Sequence, residues 1–264
     1  MPYFDYHCHS LISADGSISI NKVCAEIIKR GGNGVTFTEH LEVGDGVYEG
    51  WELDYNQYKK EITAARAAYP ELVIGMGAEV GLQVESKEKI IAAVMEHEWD
   101  FVIGSVHVIG GKLTYDGEFS AGKSREEAYR GYFHALCEAA AAFPVFDVMG
   151  HIDLIRRDYT FSTKTLEYRD FADEFDTLFR ILIDSGRGIE VNTAGRRYFH
   201  EAHPPLSCLK RYKELGGEII TCGSDSHSLP SVFHGIREGY ELIREAGFKY
   251  ITVFEKRKPK QIKI

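Results

Sequence analysis

The sequence lacks the cysteine spacing that would indicate a disulfide framework or a four-cysteine zinc site. Its 264 residues include only five cysteines, an odd number, and no two of them are spaced as C-x-x-C. Scattered cysteines of this kind are typical of reduced thiols. Cys8 stands between two histidines in a short apolar run. We expect its side chain to lie in the core, because successive residues of a strand face opposite sides.

The sequence also lacks an excess of basic residues and any long apolar run. Lys and Arg number 31 against 40 Asp and Glu, a formal net charge of -9. An acidic chain repels nucleic-acid phosphates, so we expect no nucleic-acid partner. No basic segment followed by an apolar stretch opens the chain, and no window approaches ~18 uninterrupted apolar residues. We therefore expect a cytoplasmic protein without a membrane partner, whereas the oligomeric state stays open.

Seven short runs rich in Val, Ile and Phe alternate with seven longer segments of helical period. The predicted strands cover residues 3–7, 34–38, 73–79, 101–106, 145–149, 188–192 and 218–223, and the predicted helices cover residues 21–30, 55–68, 87–96, 125–142, 170–185, 206–215 and 232–246. This alternation predicts an α/β fold with a parallel sheet covered by helices. No break in composition divides the chain, so we expect one domain over residues 1–264. A closed or nearly closed barrel is favoured, with a doubly wound open sheet as the alternative.

Three irregular segments also carry information. Two loops rich in glycine and aromatic residues follow the second and fourth predicted strands, at residues 41–54 and 109–122. Loops of this length and composition suit the cover of a functional site. The final run, KRKPKQIKI, is predicted to be a basic tail without a catalytic role.

Nearly every predicted strand ends in a residue that can bind a metal ion. The candidates are His7, His9, His40, Glu79, His107, His151, Asp225 and His227. The carboxyl ends of parallel strands form one face, and in such folds that face carries the active site. A single histidine at a strand end is usually an ordinary hydrogen-bonded residue, but six of the 11 histidines fall at this face. The other five, His97, His134, His200, His203 and His234, lie on predicted helices or loops, and we expect a role only for His203.

With Asp15 the set numbers nine ligands, more than one ion can take, because zinc binds about four groups. The sequence therefore predicts two or three ions. Imidazole together with carboxylate suits divalent transition metals, so we expect Zn, Fe or Mn. Clustered ions of this kind hydrolyse phosphate esters by activating water and neutralising phosphoryl charge.

Two arginine pairs follow strands that end at the same face. GHIDLIRR ends in Arg156 and Arg157, and EVNTAGRR ends in Arg196 and Arg197. A guanidinium fork matches the oxygens of a phosphate. Elsewhere such a pair would be a solvated surface feature, but directly beyond the predicted ligands we interpret the pairs as phosphate contacts.

Read in order, these motifs resemble the PHP (polymerase and histidinol phosphatase) family, and within it the stand-alone histidinol phosphatases. DYHCHSLISADG, FTEH, GAEVGL, SVHVIGG, GHIDLIRR, EVNTAGRR and GSDSH occur in the family's order and span essentially the whole chain. The resemblance implies a distorted (β/α)7 barrel with a trinuclear metal centre. An aspartate at Asp15, where some family members have histidine, favours the histidinol phosphatase branch.

The resemblance also implies roles for individual residues. His7, His9, Glu79 and Asp225 would hold a first ion, Asp15, His40 and His227 a second, and His107 and His151 a third to which Glu79 bridges. The family patterns GHxDxxxR and NTxGxR select Arg157 and Arg197 as phosphate contacts. Asp225, Asp15 or a water molecule are the candidate proton donors. Further candidate substrate contacts are Glu42, Tyr115, Asp116 and His203.

We therefore predict a metal-dependent phosphomonoesterase that acts on a small phosphate ester. The resemblance favours hydrolysis of L-histidinol phosphate to L-histidinol and phosphate in histidine biosynthesis, with a hydroxide that bridges the ions as the nucleophile. One alternative is a related phosphatase or exonuclease acting on nucleotides or single-stranded DNA. A second alternative is a non-catalytic barrel that the metals hold together.

Overall fold

Seven parallel strands form the central sheet. The computed structural model describes residues 1–43 and 47–264, so residues 44–46 of the predicted loop 41–54 lie outside the described residues. The strands are β1 (Phe4–Cys8), β2 (Gly34–Leu41), β3 (Val73–Gly81), β4 (Phe101–Ser105), β7 (Val148–Met149), β8 (Gly188–Asn192) and β9 (Ile220–Gly223). They follow one another around the sheet in that order, each parallel to the next.

The first and last strands close the sheet into a nearly complete barrel. Backbone hydrogen bonds run from Asp225 N–H to His7 O at 2.7 Å and from His9 N–H to Ser226 O at 2.9 Å. Cys8 and Ser226 form an isolated parallel bridge. The barrel favoured by the sequence is thus confirmed over the open sheet.

Helices cover the outside of the barrel. They are α1 (Ile20–Lys29), α2 (Tyr55–Ala68), α3 (Lys87–Met95), α4 (Arg125–Ala142), α5 (Ala172–Asp184), α6 (Gly195–Phe199), α7 (Leu206–Glu214) and α8 (Ile236–Glu245). Single 3₁₀ turns lie at Val84–Ser86, Leu154–Arg157, Tyr168–Phe171 and Leu229–Ser231. Most of the buried apolar side chains, Cys8 among them, form one cluster with the helices. Within the described ranges no helix is long and apolar enough to cross a membrane.

The boundaries differ from the prediction where long-range contacts override the local pattern. The predicted strand 145–149 is reduced to β7, because only its last two residues pair with β4 and β8. The predicted helix 232–246 begins at Ile236, since Phe233 and Gly235 adopt positive φ values of 60° and 74°. The predicted loop 109–122 contains a short hairpin of β5 (Val108–Ile109) and β6 (Lys112–Leu113).

The prediction that the chain ends in a basic tail was wrong. Residues 250–263 form an antiparallel hairpin, β10 (Tyr250–Glu255) and β11 (Lys258–Lys263). From this hairpin Phe254 joins a second apolar cluster with Phe4, Tyr6, Phe101, Ile103 and Val148. These residues lie within the first three positions of β1, β4 and β7, so the hairpin closes the amino-terminal end of the barrel. The lysines were informative only about its solvent-exposed side.

Candidate metal centre

The carboxyl ends of β1, β3 and β9 bring four predicted ligands to one point. The Nε2 atoms of His7 and His9 lie 3.1 Å apart. Glu79 Oε2 is 3.2 Å from the first and 3.3 Å from the second, and Asp225 Oδ1 is 3.7 Å from each. A tetrahedral ion with bonds of 2.0–2.1 Å separates its ligand atoms by about 3.3 Å. The four atoms therefore fit one ion.

The backbone around Asp225 explains how its carboxylate reaches this point. Asp225 follows β9 with a positive φ of 52°, a left-handed conformation that aspartate tolerates better than most residues. Its N–H is bonded to His7 O. The turn thus aims the side chain back toward the ligands at the end of β1.

A second group lies beside the first. Asp15 Oδ2 is 3.1 Å from His227 Nε2 and 3.6 Å from His40 Nε2. The His9 ring stacks against both of the other imidazoles, with ring centroids 4.4 Å from His40 and 4.1 Å from His227. The second group is therefore directly adjacent to the first.

Glu79 joins the first group to a third. Its Oε1 atom is 2.9 Å from His151 Nε2 and 3.3 Å from His107 Nε2, whereas its Oε2 faces His7 and His9. Ser105 donates a hydrogen bond of 2.7 Å to the same Oε1. The two oxygens of one carboxylate thus face two groups of imidazoles, which is the geometry that a bridging ligand requires.

Two of the imidazoles have carboxylate partners on their far sides, as histidines in metal sites commonly do. His7 Nδ1 lies 2.7 Å from Glu190 Oε1, and His107 Nδ1 lies 2.8 Å from Glu42 Oε1. An Nδ1–H that donates outward leaves Nε2 as a free acceptor on the inside. The donor set and its orientation therefore fit several divalent ions.

The charges in the site stabilise one another. Burial opposes ionisation of the Glu79 carboxyl, but His7 and His107 hold its pKa well below the usual range. Burial likewise opposes the imidazolium form of His40 and His107, yet Asp15 and Glu42 raise the pKa of His40 to about 10, and Glu79 and Glu42 raise that of His107 to about 10. A metal ion must displace these protons, so its affinity falls as the pH falls.

One arginine of each pair reaches the cavity above the predicted metal ligands. Arg157 donates to Asp225 Oδ2 at 2.8 Å. Arg197 donates to the carbonyl oxygens of Ser224 and Asp225 at 2.9 and 2.8 Å. Both line a cavity of about 600 Å³ together with Glu79, Asp225 and four of the predicted ligand histidines.

Arg156 has a structural position instead. It is completely buried, donates to Asp153 Oδ2 at 2.9 Å, pairs with Glu201 and lies 4.0 Å over the Phe199 ring. The 3₁₀ turn at Leu154–Arg157 thus points one arginine into the core and the next into the cavity.

The predicted substrate contacts divide in the same way. Tyr115 lines the cavity, and its hydroxyl lies 3.2 Å from that of Tyr48. The other three lie away from the cavity wall. Glu42 is behind His107, Asp116 accepts the Glu118 N–H at 3.0 Å within its loop, and His203 is fully buried with Nδ1 2.9 Å from Asp153.

Sequence reasoning missed several residues of the site. Tyr48, Trp51, Tyr198, Ser228, Ser231 and His234 also line the cavity. We expected no role for His234, because residues 232–246 have a helical pattern. That pattern does not reveal that the helix begins only at Ile236 and leaves His234 in the preceding loop. Glu190 had a usable signal, since a carboxylate in the middle of the apolar run GIEVN must find a buried partner.

Comparisons with known proteins agree with this geometry. The model of the PHP domain family matches residues 5–194. Histidinol-phosphatase of Lactococcus lactis subsp. lactis (strain IL1403) is 31% identical over 261 residues, which cover 96% of this chain and 95% of that protein. A protein of Clostridium acetobutylicum named probable histidinol-phosphatase is 27% identical over 254 residues, 96% of this chain and 97% of that protein.

Solved structures lead to the same family. The crystal structure of histidinol phosphate phosphatase from Lactococcus lactis, complexed with zinc, L-histidinol and phosphate, superposes with a TM-score of 0.88 at 29% identity over 98% of each chain. The crystal structure of the putative histidinol phosphatase hisK from Listeria monocytogenes, at 20% identity and a TM-score of 0.78 over 89% of this chain and 99% of that one, shows the same fold. The matched family model, the similar proteins and the barrel with its predicted metal ligands all agree. The chain belongs to the PHP domain family.

Proposed function

We propose that this chain is a metal-dependent phosphomonoesterase that hydrolyses L-histidinol phosphate to L-histidinol and phosphate, a step of histidine biosynthesis. The observation that carries the proposal is the joint placement of the ligand cluster and two guanidinium groups, Arg157 and Arg197, in one cavity. The similarity to the Lactococcus lactis enzyme along the whole chain supports the substrate. We also propose a cytoplasmic location, which the sequence predicts.

Three ion positions follow from the three groups of ligands. The first would be held by His7, His9, Glu79 and Asp225, the second by Asp15, His40 and His227, and the third by His107, His151 and Glu79. When bound, divalent ions supply a water of lowered pKa and positive charge against the phosphoryl oxygens. Zinc suits these nitrogen and oxygen donors, and iron and manganese share the preference.

The phosphate end of the substrate would meet Arg157 and Arg197. Each guanidinium is held in place before substrate arrives, the first by the Asp225 carboxylate and the second by two backbone carbonyls. Donors that are oriented in advance stabilise the charge of the transition state without reorganising. The arginines therefore bind the phosphoryl oxygens and keep them in line with the attacking water.

The leaving group would lie against an aromatic wall. Tyr48 and Trp51 have ring centroids 4.8 Å apart, and Tyr48 shares a hydroxyl contact with Tyr115. A flat imidazole matches such a wall, since aromatic pairs favour stacked or edge-to-face contact.

The proton for the leaving oxygen comes from water in this proposal. Burial opposes ionisation of Asp15 and Asp225, but their neighbours, His227 for Asp15 and His7 for Asp225, hold the pKa of each carboxyl below its usual range. Bound cations lower both values further. Neither carboxyl therefore holds a proton near neutral pH. Of the predicted proton donors, only a water molecule remains.

The test is phosphate release by protein reconstituted separately with Mn and Zn. L-histidinol phosphate is compared with nucleotides, sugar phosphates and single-stranded DNA. We expect kcat/KM for histidinol phosphate to exceed the others by ~100-fold, about 2.7 kcal/mol of transition-state stabilisation. Equal activity over the panel, or activity confined to nucleotides, contradicts the substrate. Absence of any turnover with metals bound contradicts the enzyme and favours the structural alternative.

A further inference from the structure

Three buried glutamates stand behind the proposed ligands without belonging to them. Glu39 and Glu190 have no exposed surface, and the Glu42 side chain has none either. A buried carboxylate is unfavourable unless it is bonded to charged or polar partners. Each of these three has its partners among the ligands of two different ion positions.

Glu190 connects the first position to the third. Its Oε1 lies 2.7 Å from His7 Nδ1, and its Oε2 accepts the backbone N–H of His151 at 3.0 Å. The amide of Asn192 donates to the same Oε2 at 3.1 Å. A Cβ atom at Gly223 would lie 2.6 Å from Glu190 Oε1, so the glycine makes room for this carboxylate.

Glu42 connects the third position to the second. Its Oε1 lies 2.8 Å from His107 Nδ1 and 3.6 Å from His40 Nδ1. It comes two residues after His40 at the end of β2, so the chain turns it toward the same side. A Cβ atom at Gly81 would collide with its carboxylate, which again shows a space kept by glycine.

Glu39 connects the first position to the second through a serine. Ser13 donates its hydroxyl hydrogen to Glu39 Oε2 at 2.6 Å. The same Oγ lies 3.2 Å from His9 Nδ1 and accepts the backbone N–H of His40 at 3.0 Å. A hydroxyl has one hydrogen to donate and two lone pairs to accept, and all three are used here.

We infer that Glu39, Glu42 and Glu190 form an outer carboxylate ring in which each member positions ligands of two ion sites, so that loss of one member weakens the two sites that it serves. An ion at one site fixes a histidine whose partner in the ring also holds a ligand of the next site. Loss of that partner therefore disturbs the orientation of ligands at both sites. The inference rests on the proposed three-ion centre.

The ring predicts a different pattern of metal loss for each member. Glu190→Gln should weaken the first and third ions and spare the second, and Glu42→Gln should weaken the second and third and spare the first. Ser13→Ala, which breaks the Glu39 connection, should weaken the first and second and spare the third. Loss of such an outer partner lowers metal affinity by about 10- to 100-fold.

The experiment measures zinc and not turnover, so it is independent of the substrate. Zinc per chain is titrated by mass spectrometry of the folded protein, and the occupancy of each position is read from anomalous scattering at the zinc edge. At a zinc concentration that saturates the unchanged protein with three ions, we expect each variant to keep about one, at its own spared position.

Two controls keep the result interpretable. Asp147→Asn changes a partly buried carboxylate that contacts Arg257 and the Val102 N–H at the other end of the barrel, and it should keep three ions. Ser13→Thr retains the hydroxyl and should also keep three, which separates the connection from a general effect on folding. Uniform loss over all positions, or full occupancy in the three ring variants, overturns the inference. Failure of the proposed substrate leaves these occupancies unchanged.

Discussion

The two ends of the barrel are built from the same strands but from opposite chemistry. At the amino-terminal end Phe4, Tyr6, Phe101 and Phe254 form an apolar cluster. At the carboxyl-terminal end, His7 of the same strand β1 and His9 just after the strand lie among buried carboxylates. The comparison shows that one end stabilises the fold, whereas the other keeps like and unlike charges close together, an arrangement that favours a bound cation more than it favours folding.

An irregularity in β1 makes this change possible within five residues. Asp5 pairs with Val35 and Cys8 with Phe37, so β1 has one residue more than β2 between these pairs. Such a bulge re-aims the side chains that follow it. Tyr6 therefore contacts Phe101, with ring centroids 5.1 Å apart, while the next residue, His7, contacts Glu79.

The largest effect should come from removing a ligand at the carboxyl-terminal end. His9→Ala is expected to lower kcat/KM for histidinol phosphate by about 10³-fold or more, equivalent to about 4 kcal/mol, because His9 contacts both the first and the second group. Phosphate release measures the loss, and circular dichroism checks that the fold is retained. Activity near that of the unchanged protein would remove His9 from the centre.

The matching change at the amino-terminal end should affect stability and leave metal binding intact. Phe254→Ala removes a ring that contacts Tyr6 and Phe101, and we expect the free energy of unfolding to fall by about 3 kcal/mol. Urea denaturation of the metal-loaded protein measures it. A loss of zinc from the folded variant would show that the two ends are not independent.

A smaller effect is expected from Arg157, one of the two arginines that line the cavity. Arg157→Ala should lower kcat/KM by ~100-fold, about 2.7 kcal/mol, because one phosphate contact is lost. Zinc content and the unfolding midpoint should change little. A selective rise in KM with unchanged kcat would indicate that Arg157 binds the ground state and the transition state equally.

The smallest effect concerns pH and metal-free protein. The pKa of His40 and of His107 is raised from 6.5 to about 10. These imidazoles contribute stability that is complete below pH 6.5 and is lost as the pH rises through about 10. With EDTA, we expect the melting temperature to fall as the pH is raised from 7 to 10.

Zinc-loaded protein provides the control for this pH series. A bound ion takes the place of the protons. The melting temperature of the zinc-loaded protein should therefore fall less between pH 7 and pH 10. A parallel decline with and without zinc would place the titrating groups outside the centre.

Much of the candidate site was accessible from the sequence, because strand ends are local features. The predicted strand 188–192 and helix 125–142 match β8 and α4, and the histidines beyond the strands converge as the parallel topology requires. The hairpin β10–β11 was not accessible, since its lysines face solvent and only the packing of Phe254 reveals what it covers. The position of His203 was not accessible either, because its partner Asp153 lies 50 residues away in the chain.

The sequence by itself determined the alternation of strands and helices, the face that carries the ligands, and the types of ligand atom. Periodicity and strand-end position encode these properties over a few residues at a time. The tertiary structure decided which arginine of each pair lines the cavity, where β1 bulges, and how Glu39, Glu42 and Glu190 each contact two groups of ligands. Those outcomes depend on pairing between strands distant in the chain, and no local pattern contains the distances involved.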